Sequence, residues 1–515
     1  MRAKKFFLAL LLLLASVKSE ASSFMEELLS LEGVVSVDVI AQETPVFSGK
    51  YIAWFEQPLD WSSPDAGTFL QRVEIGFSGW ENLNVVYLSG YDLSESTWPY
   101  DDRNEIAKIY NGNYIRIEYR YFGKSVPDGL SDKSTALWEH LSNTNASSDF
   151  HNIMEQLRTI LPGAWVFTGS SKGGQAANIF AYYYPNDADA YVSYVAPFCD
   201  GADDPRMSEA VYTVIGNERY GPEKAQEYRD LLLSFQLEAV RNREYLQPLI
   251  TANDPRGYVT DEHKAAVYFE LSVIDFPVTV WQYYQNFDGI KAVLNMPREN
   301  IADKKKYLDT VAGMITEEGP VYSSFAYTVQ AAKENGNYRP CVKYLREAAE
   351  REGLHLEIGG DEESYIWNKI SFTEEQMRLF EFDPYMRDEI IAWSHTTESN
   401  VIMIYGNSDP WYFVRLPDVA DNPNVHIFTS EHSHLVSINS MSQEKRDEIL
   451  SLLDSWLEQD RSSVQNPGSL SSSGGGCNLA GNLGIILLSV IASMRKRTVT
   501  KIYSADIAFV PPKIM

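Results

Sequence analysis

Between Ala164 and Pro185 the chain reads AWVFTGSSKGGQAANIFAYYYP, and this stretch confines the fold more tightly than any other. The apolar run from Ala164 to Gly169 has the length and composition of a strand. A helix-length apolar segment begins after Gly174. Between them, Gly169-Ser170-Ser171-Lys172-Gly173 has the Gly-x-Ser-x-Gly spacing. A strand that gives way to a helix over so few residues must fold back sharply, and only small neighbours admit that turn. Such a turn lifts Ser171 clear of the sheet edge. The same letters also spell an ordinary Gly-Ser turn; the strand before and the helix after are what favour a nucleophile. The N–H of Lys172, at the start of that helix, is then a candidate oxyanion donor.

Strand-like runs recur at Gly67–Phe77, Asn84–Tyr91, Asn113–Gly123 and Ala190–Phe198, with the helical stretch SSDFHNIMEQLRTIL among them. Strands separated by helix-length segments predict an α/β fold with a largely parallel sheet. From Gly201 to Arg387 long helical periodicities take over, and strand signals return only at Asn400–Gly406 and Asn424–Ser430. The expected organisation is a leader at 1–22, a first part of the sheet domain at 23–200 and an inserted helical lid at 201–390. A second part of the sheet domain follows at 391–460, then a Ser/Gly-rich linker at 461–476 and a sorting or membrane-anchor segment at 477–497.

A nucleophilic serine needs a base, and the base needs a group to orient it. In a strand–turn–helix arrangement of this kind the acid and the histidine follow the serine along the chain. VIMIYGNSDPW ends a strand at Gly406 and puts Asp409 in the loop beyond it; Asp418 is a competing acid farther from the strand end. The next strand, NVHIFTSEHSHLVSI, supplies His432 and His434 in its following loop, with His426 inside the strand. His434, which directly precedes an apolar segment, is preferred. A second oxyanion donor is expected from the loop after the early strand VVYLSGYDL, at the backbone of Gly90 or Tyr91.

Composition narrows the partners. Forty-four Lys and Arg face 71 Asp and Glu, a formal charge of −27, so a phosphate backbone would be repelled and nucleic acid is not an expected partner. A hydrophobic share of 44% supports a sizeable core. Arg2, Lys4 and Lys5 precede a short apolar run from Phe6 to Ala15 and then small residues, the pattern of an export leader cut between Ala15 and Ser23. At the other end Cys477 opens an apolar stretch that closes on Arg495-Lys496-Arg497, read either as a processed sorting tail or as a single-pass anchor in an envelope membrane. The expected location is outside the cytoplasm, extracellular or envelope-attached. Cys199 and Cys341 are spaced in a way that specifies no pairing, the 8 histidines form no metal motif, and neither a metal nor a cofactor is expected.

YIAWFEQPLDW…GTFLQRV, IEYRYFGKSVP, TGSSKGGQAA, VTVWQYY and YGNSDPW occur in that order from Tyr51 onward. Together they resemble the bacterial secreted prolyl tripeptidyl aminopeptidases, serine exopeptidases related to prolyl carboxypeptidase and dipeptidyl peptidase II. The resemblance runs to about Leu457. It implies an α/β-hydrolase fold with a large helical lid, a triad of Ser171, Asp409 and His434, and release of short N-terminal peptides after proline. An aromatic pocket for the proline ring would draw on Tyr121, Phe122, Trp281 and Trp411. The family's Glu-His-Arg segment reads Glu118-Tyr119-Arg120 here, and the Gly before its Ser-His pair is replaced by His432. The triad alone does not separate a peptidase from a carboxylesterase or lipase, and a non-catalytic surface-binding protein on the same scaffold is the third reading.

Overall fold

The computed structural model describes residues 20–43, 45–94, 101–131, 133–252, 254, 257–296, 325–359, 363–419 and 421–457. The readings of the leader before residue 20, of the linker at 461–476 and of the tail at 477–497 lie outside the described residues.

The spine is a nine-stranded sheet: β1 (Val34–Val39), β2 (Gly49–Pro58), β3 (Thr68–Phe77), β4 (Asn84–Leu88), β5 (Asn113–Ile117), β6 (Trp165–Ser170), β7 (Ala190–Tyr194), β8 (Val401–Gly406) and β9 (Val425–Ser430). Their order is β1-β2-β3-β5-β4-β6-β7-β8-β9. From β5 through β9 all neighbours are parallel. β1, β2 and β3 form an antiparallel wing joined to β5. The chain has an α/β-hydrolase fold, with a mixed rather than wholly parallel sheet.

Central strands carry apolar side chains on both faces because helices cover both. Phe167, Tyr191 and Met403 pack in one cluster with Phe150 and Phe180, from the helices Asn143–Arg158 and Lys172–Tyr183. The alternate residues Val166, Val192 and Ile402 pack on the opposite face with Ile449 and Leu453 of the Gln443–Trp456 helix. The antiparallel wing is sealed by the segment just ahead of β1. Phe24 stacks on Phe77 with ring centres 4.1 Å apart, and the Tyr51 hydroxyl donates to the Ala21 carbonyl at 2.6 Å. Ala21 falls within the stretch, Ala15 to Ser23, in which the leader is expected to be cut.

Between β7 and β8 the chain runs through helices from Arg206–Thr213 to Tyr385–Ser394. Most of them share an apolar core of their own, with Phe235, Phe269 and Trp281 fully buried, while Ala326, Val329, Met386 and Ile390 pack with the sheet-domain cluster. The helix Glu262–Thr279 is buried on every side from Ala266 onward. It does not stop at Thr279 but widens into a π-helical turn, Val280–Tyr284, which ends at Gln285 in the left-handed region. Pro277 lies just upstream and removes one ladder donor, and such π turns recur at functional sites. Cys199 and Cys341 are both free thiols. Among the described residues, no helix is long and apolar enough to cross a membrane.

Candidate active site

Parallel strands leave their carboxyl ends on one edge of the sheet, and the loops leaving β4, β6, β8 and β9 gather there. Leu88 of β4 is level with Gly169 of β6, so the Ser89–Tyr91 loop and the turn after β6 start side by side.

Ser171 follows β6 and caps the Lys172–Tyr183 helix with φ 57° and ψ −125°. A non-glycine residue at such a φ costs about 1–3 kcal/mol and persists only where its surroundings enforce it. Here the Ser171 N–H donates to the Tyr194 carbonyl at 2.8 Å, while its own carbonyl accepts the Gln175 N–H at 2.9 Å. Gly169 and Gly173 are needed for packing: a Cβ on Gly169 would lie 2.2 Å from the Gly173 oxygen, and one on Gly173 would lie 2.2 Å from the Leu88 oxygen.

The β4 loop closes on this helix start. Gly90 has φ +74°, and a Cβ there would lie 2.5 Å from the Gly173 nitrogen and 2.9 Å from the Lys172 carbonyl carbon. Gly90→Ala is expected to push the loop away and lower kcat for peptide hydrolysis by about 100-fold, the scale of a displacement near 1 Å. Steady-state kinetics on the variant checks this, and a kcat within about threefold of wild type would contradict it. The Tyr91 N–H is already engaged by Ser89 Oγ at 3.1 Å. That leaves Gly90 as the freer of the two expected donors in this loop.

The Lys172 side chain has a role that the motif did not reveal. It is buried, and Nζ donates to the Gly90 carbonyl at 2.7 Å. Its ammonium lies 3.2 Å from the Tyr119 ring centre, 4.9 Å from Phe122 and 5.6 Å from Tyr91. Burial pushes the lysine well below its ordinary pKa, against a smaller pull from Glu334. Tyr119, which stands where the resembling family has histidine, thus forms the floor of an aromatic cage that ties the nucleophile helix to the Gly90 loop.

Asp409 and His434 meet above the ends of β8 and β9. Asp409 is fully buried; one carboxylate oxygen accepts the Trp411 N–H at 3.2 Å and the other is 2.7 Å from His434 Nδ1. An ionised carboxylate only accepts, so Nδ1 carries the proton and Nε2 is left as a base. His434 Nε2 is buried and has no hydrogen-bond partner among the described residues. The two loops are laced together by their backbones, with Asn407 N–H on the Ser430 carbonyl and Ser408 N–H on the His432 carbonyl. His432 is exposed, Asp418 is exposed and paired with Arg415 at 3.0 Å, and His426 stacks on Phe428 within β9.

Four aromatics were expected to line a pocket, and the structure does not bring them together. Tyr121 packs edge-on against Phe69 and Trp138 in the sheet-domain core. Trp281 has no exposed surface and packs on Phe287 inside the helical block. Neither is a wall residue, because both rings are spent on core packing. Phe122 lines the lysine cage, and Trp411 is half-buried against Tyr338.

Sequence reasoning passed over the contacts made by the π turn. The Gln282 carbonyl accepts the His434 N–H at 3.2 Å, and the Tyr283 ring meets the His434 ring edge-on with centres 5.5 Å apart. Gln285 donates to the Ser408 carbonyl at 3.1 Å. The helical block therefore touches both the acid loop and the histidine loop. VTVWQYY carried the signal in the sequence, but nothing in its composition says which loops it grips.

The sequence profile of the PS-10 peptidase S37 family matches residues 18–469. The chain is 26% identical over 406 residues to a prolyl tri/tetrapeptidyl aminopeptidase of Streptomyces mobaraensis, covering 77% of this chain and 76% of that protein. It is 27% identical over 175 residues to serine protease vicPb of Bipolaris victoriae (strain FI3), covering 30% of this chain and 31% of that protein. Among solved structures, proline iminopeptidase of Mycobacterium smegmatis superposes with a TM-score of 0.33 at 16% identity, over 79% of this chain and 97% of that one. An acetylester hydrolase of Corynebacterium glutamicum gives 0.36 at 10% identity, over 82% and 96%. Likenesses as loose as these last two say nothing about substrate.

Proposed function

This chain belongs to the PS-10 peptidase S37 family, and from that premise we propose that it is an exported exopeptidase releasing short N-terminal peptides after proline through Ser171, His434 and Asp409. It is a serine-type peptidase by family. The observation that supports the assignment of base and acid is the Asp409–His434 pair at 2.7 Å, whose second ring nitrogen is buried and without a hydrogen-bond partner among the described residues. An imidazole held in that state is a base waiting for a proton.

Ser171 Oγ attacks the carbonyl carbon of the P1 residue while His434 Nε2 takes its proton. The tetrahedral intermediate places its oxyanion toward the Lys172 and Gly90 N–H groups, where one such donor is typically worth about 3 kcal/mol. Asp409 stabilises the imidazolium and fixes its orientation. Collapse breaks the C–N bond; the leaving amine takes the proton from His434 and an acyl-Ser171 ester remains. Water then attacks the ester with the same base, and Ser171 is regenerated.

The helices between β7 and β8 act as a lid, and their grip on the His434 loop through Gln282 supports that assignment. Preference for proline rests on the resemblance in sequence and on the Streptomyces relative, named for a prolyl activity. Export rests on the basic and apolar start of the chain, with cleavage ahead of Ala21, whose carbonyl is held by Tyr51.

The test is a substrate panel given to the full chain: Ala-Ala-Pro-aminomethylcoumarin with a free N-terminus, the same peptide acetylated, Ala-Ala-Ala-aminomethylcoumarin and p-nitrophenyl butyrate. The expected profile is turnover of the free proline peptide well above the other three. Ester turnover without peptide turnover would make the chain an esterase and overturn the reading. Equal cleavage of the proline and alanine peptides would remove the proline preference alone.

A further inference from the structure

We propose that Lys172 is a positioning residue for the reaction through its side chain: the buried ammonium, fixed on the Gly90 carbonyl, holds the oxyanion donor of the β4 loop in place. The inference rests on the serine-nucleophile reading above and deepens it.

Two lysines are buried among the described residues, Lys50 and Lys172. Lys50 is paired with the Asp102 carboxylate at 2.8 Å. Lys172 has no carboxylate partner among the described residues. Its Nζ donates to the Gly90 carbonyl at 2.7 Å and otherwise faces the rings of Tyr119, Phe122 and Tyr91. A buried ammonium without a counter-charge costs stability, and one carbonyl with three aromatic faces offsets that cost only in part. A methionine would fill the same space without it. A side chain that works against stability, placed next to the reacting serine, is where a contribution to function is expected.

Gly90 is the residue on which this charge acts. Its φ of +74° lies in the left-handed region, and glycine visits the right-handed one about as readily, so the residue itself does little to keep the loop in this shape. The Gly90 carbonyl and N–H flank one Cα and turn only about two soft dihedrals, so an anchored carbonyl restricts how far the N–H can swing. Lys172 thus supplies one oxyanion donor from its backbone and steadies the other with its side chain. The helical block bears on the same clamp. Gln330, on the helix Phe325–Gln330, donates to the Tyr119 hydroxyl at 2.8 Å, which fixes the ring beneath the ammonium. Glu334, in the turn that follows, accepts the Asn143 N–H at 2.8 Å and draws Lys172 toward its protonated form.

Lys172→Met in the full chain tests this, because methionine keeps the bulk of the stem and removes the charge and its hydrogen bond. The kcat for free Ala-Ala-Pro-aminomethylcoumarin is expected to fall about 100-fold, the scale of a lost oxyanion donor, with KM changed by less than about threefold. The rate at which a fluorophosphonate labels Ser171, which requires no peptide site, is expected to fall with kcat, while the melting temperature does not fall. Adding Gly90→Ala to Lys172→Met is expected to cost less than about tenfold more, since both changes act on the same donor. A Lys172→Met enzyme with kcat and labelling rate within about threefold of wild type overturns the assignment. So does one whose melting temperature falls together with kcat, for then the lysine is structural, and so does a double variant whose losses multiply. Ser171→Ala, run alongside, separates the two readings. If it retains turnover, the serine mechanism fails and the clamp falls with it. If it is inactive while Lys172→Met is unimpaired, the clamp alone fails.

Discussion

Ser171→Ala and His434→Ala are each expected to lower kcat for peptide hydrolysis by about a million-fold, and the double variant to lose no more than either alone. The two act as one unit: without Oγ there is nothing for the imidazole to deprotonate, and without Nε2 the hydroxyl remains a weak nucleophile. Asp409→Ala is expected to lose less, about ten-thousand-fold, because an unoriented imidazole still acts as a base part of the time. KM should change only a few-fold, since none of the three is assigned a ground-state contact with the peptide. Steady-state kinetics on the single and double variants decides the matter. Losses that multiply would mean that Ser171 and His434 serve different steps and would contradict the coupled mechanism.

Arg120→Met is expected to destabilise the fold by about 3–5 kcal/mol. Arg120 has no exposed surface. Its guanidinium grips Asp149 through two bonds of 2.7 and 2.9 Å and donates to the carbonyls of Pro58, Leu59 and His140. Methionine would leave the Asp149 carboxylate buried with no cation and three carbonyls short of a donor. Burial already raises the Asp149 pKa, with Arg120 the main opposing pull. Adding Asp149→Leu to Arg120→Met should therefore recover much of the loss, as the stranded charge goes with it. Urea unfolding of the two variants measures this. A single-variant loss below about 1 kcal/mol, or a further loss in the double variant, would contradict it. The pair also matters for the site: Arg120 fixes the segment that presents Tyr119 to the Lys172 ammonium.

The parts of this molecule that were legible in the sequence are those where chain order alone fixes place. Trp165–Ser170 followed by a Gly-flanked serine and a helix can fold in few ways, and β6 with the Lys172–Tyr183 helix is the result. Asp409 and His434 were findable because each follows directly on an apolar strand, β8 and β9, and parallel neighbours end on one edge. The antiparallel wing was harder, because Val34–Val39 is too exposed to announce itself beside β2. Tyr121 and Trp281 show a second limit: an aromatic ring has the same letter whether it walls a pocket or fills a core.

The central claim is that Ser171 carries the acyl group. The most direct measurement is to treat the full chain with a fluorophosphonate, follow residual peptide hydrolysis, and locate the adduct by mass spectrometry of the digest. One adduct per chain on the peptide containing Ser171, formed in step with the loss of activity and absent from His434→Ala on the same timescale, is the predicted result. Activity lost while Ser171 stays unmodified, or Ser171 modified while activity persists, would contradict it.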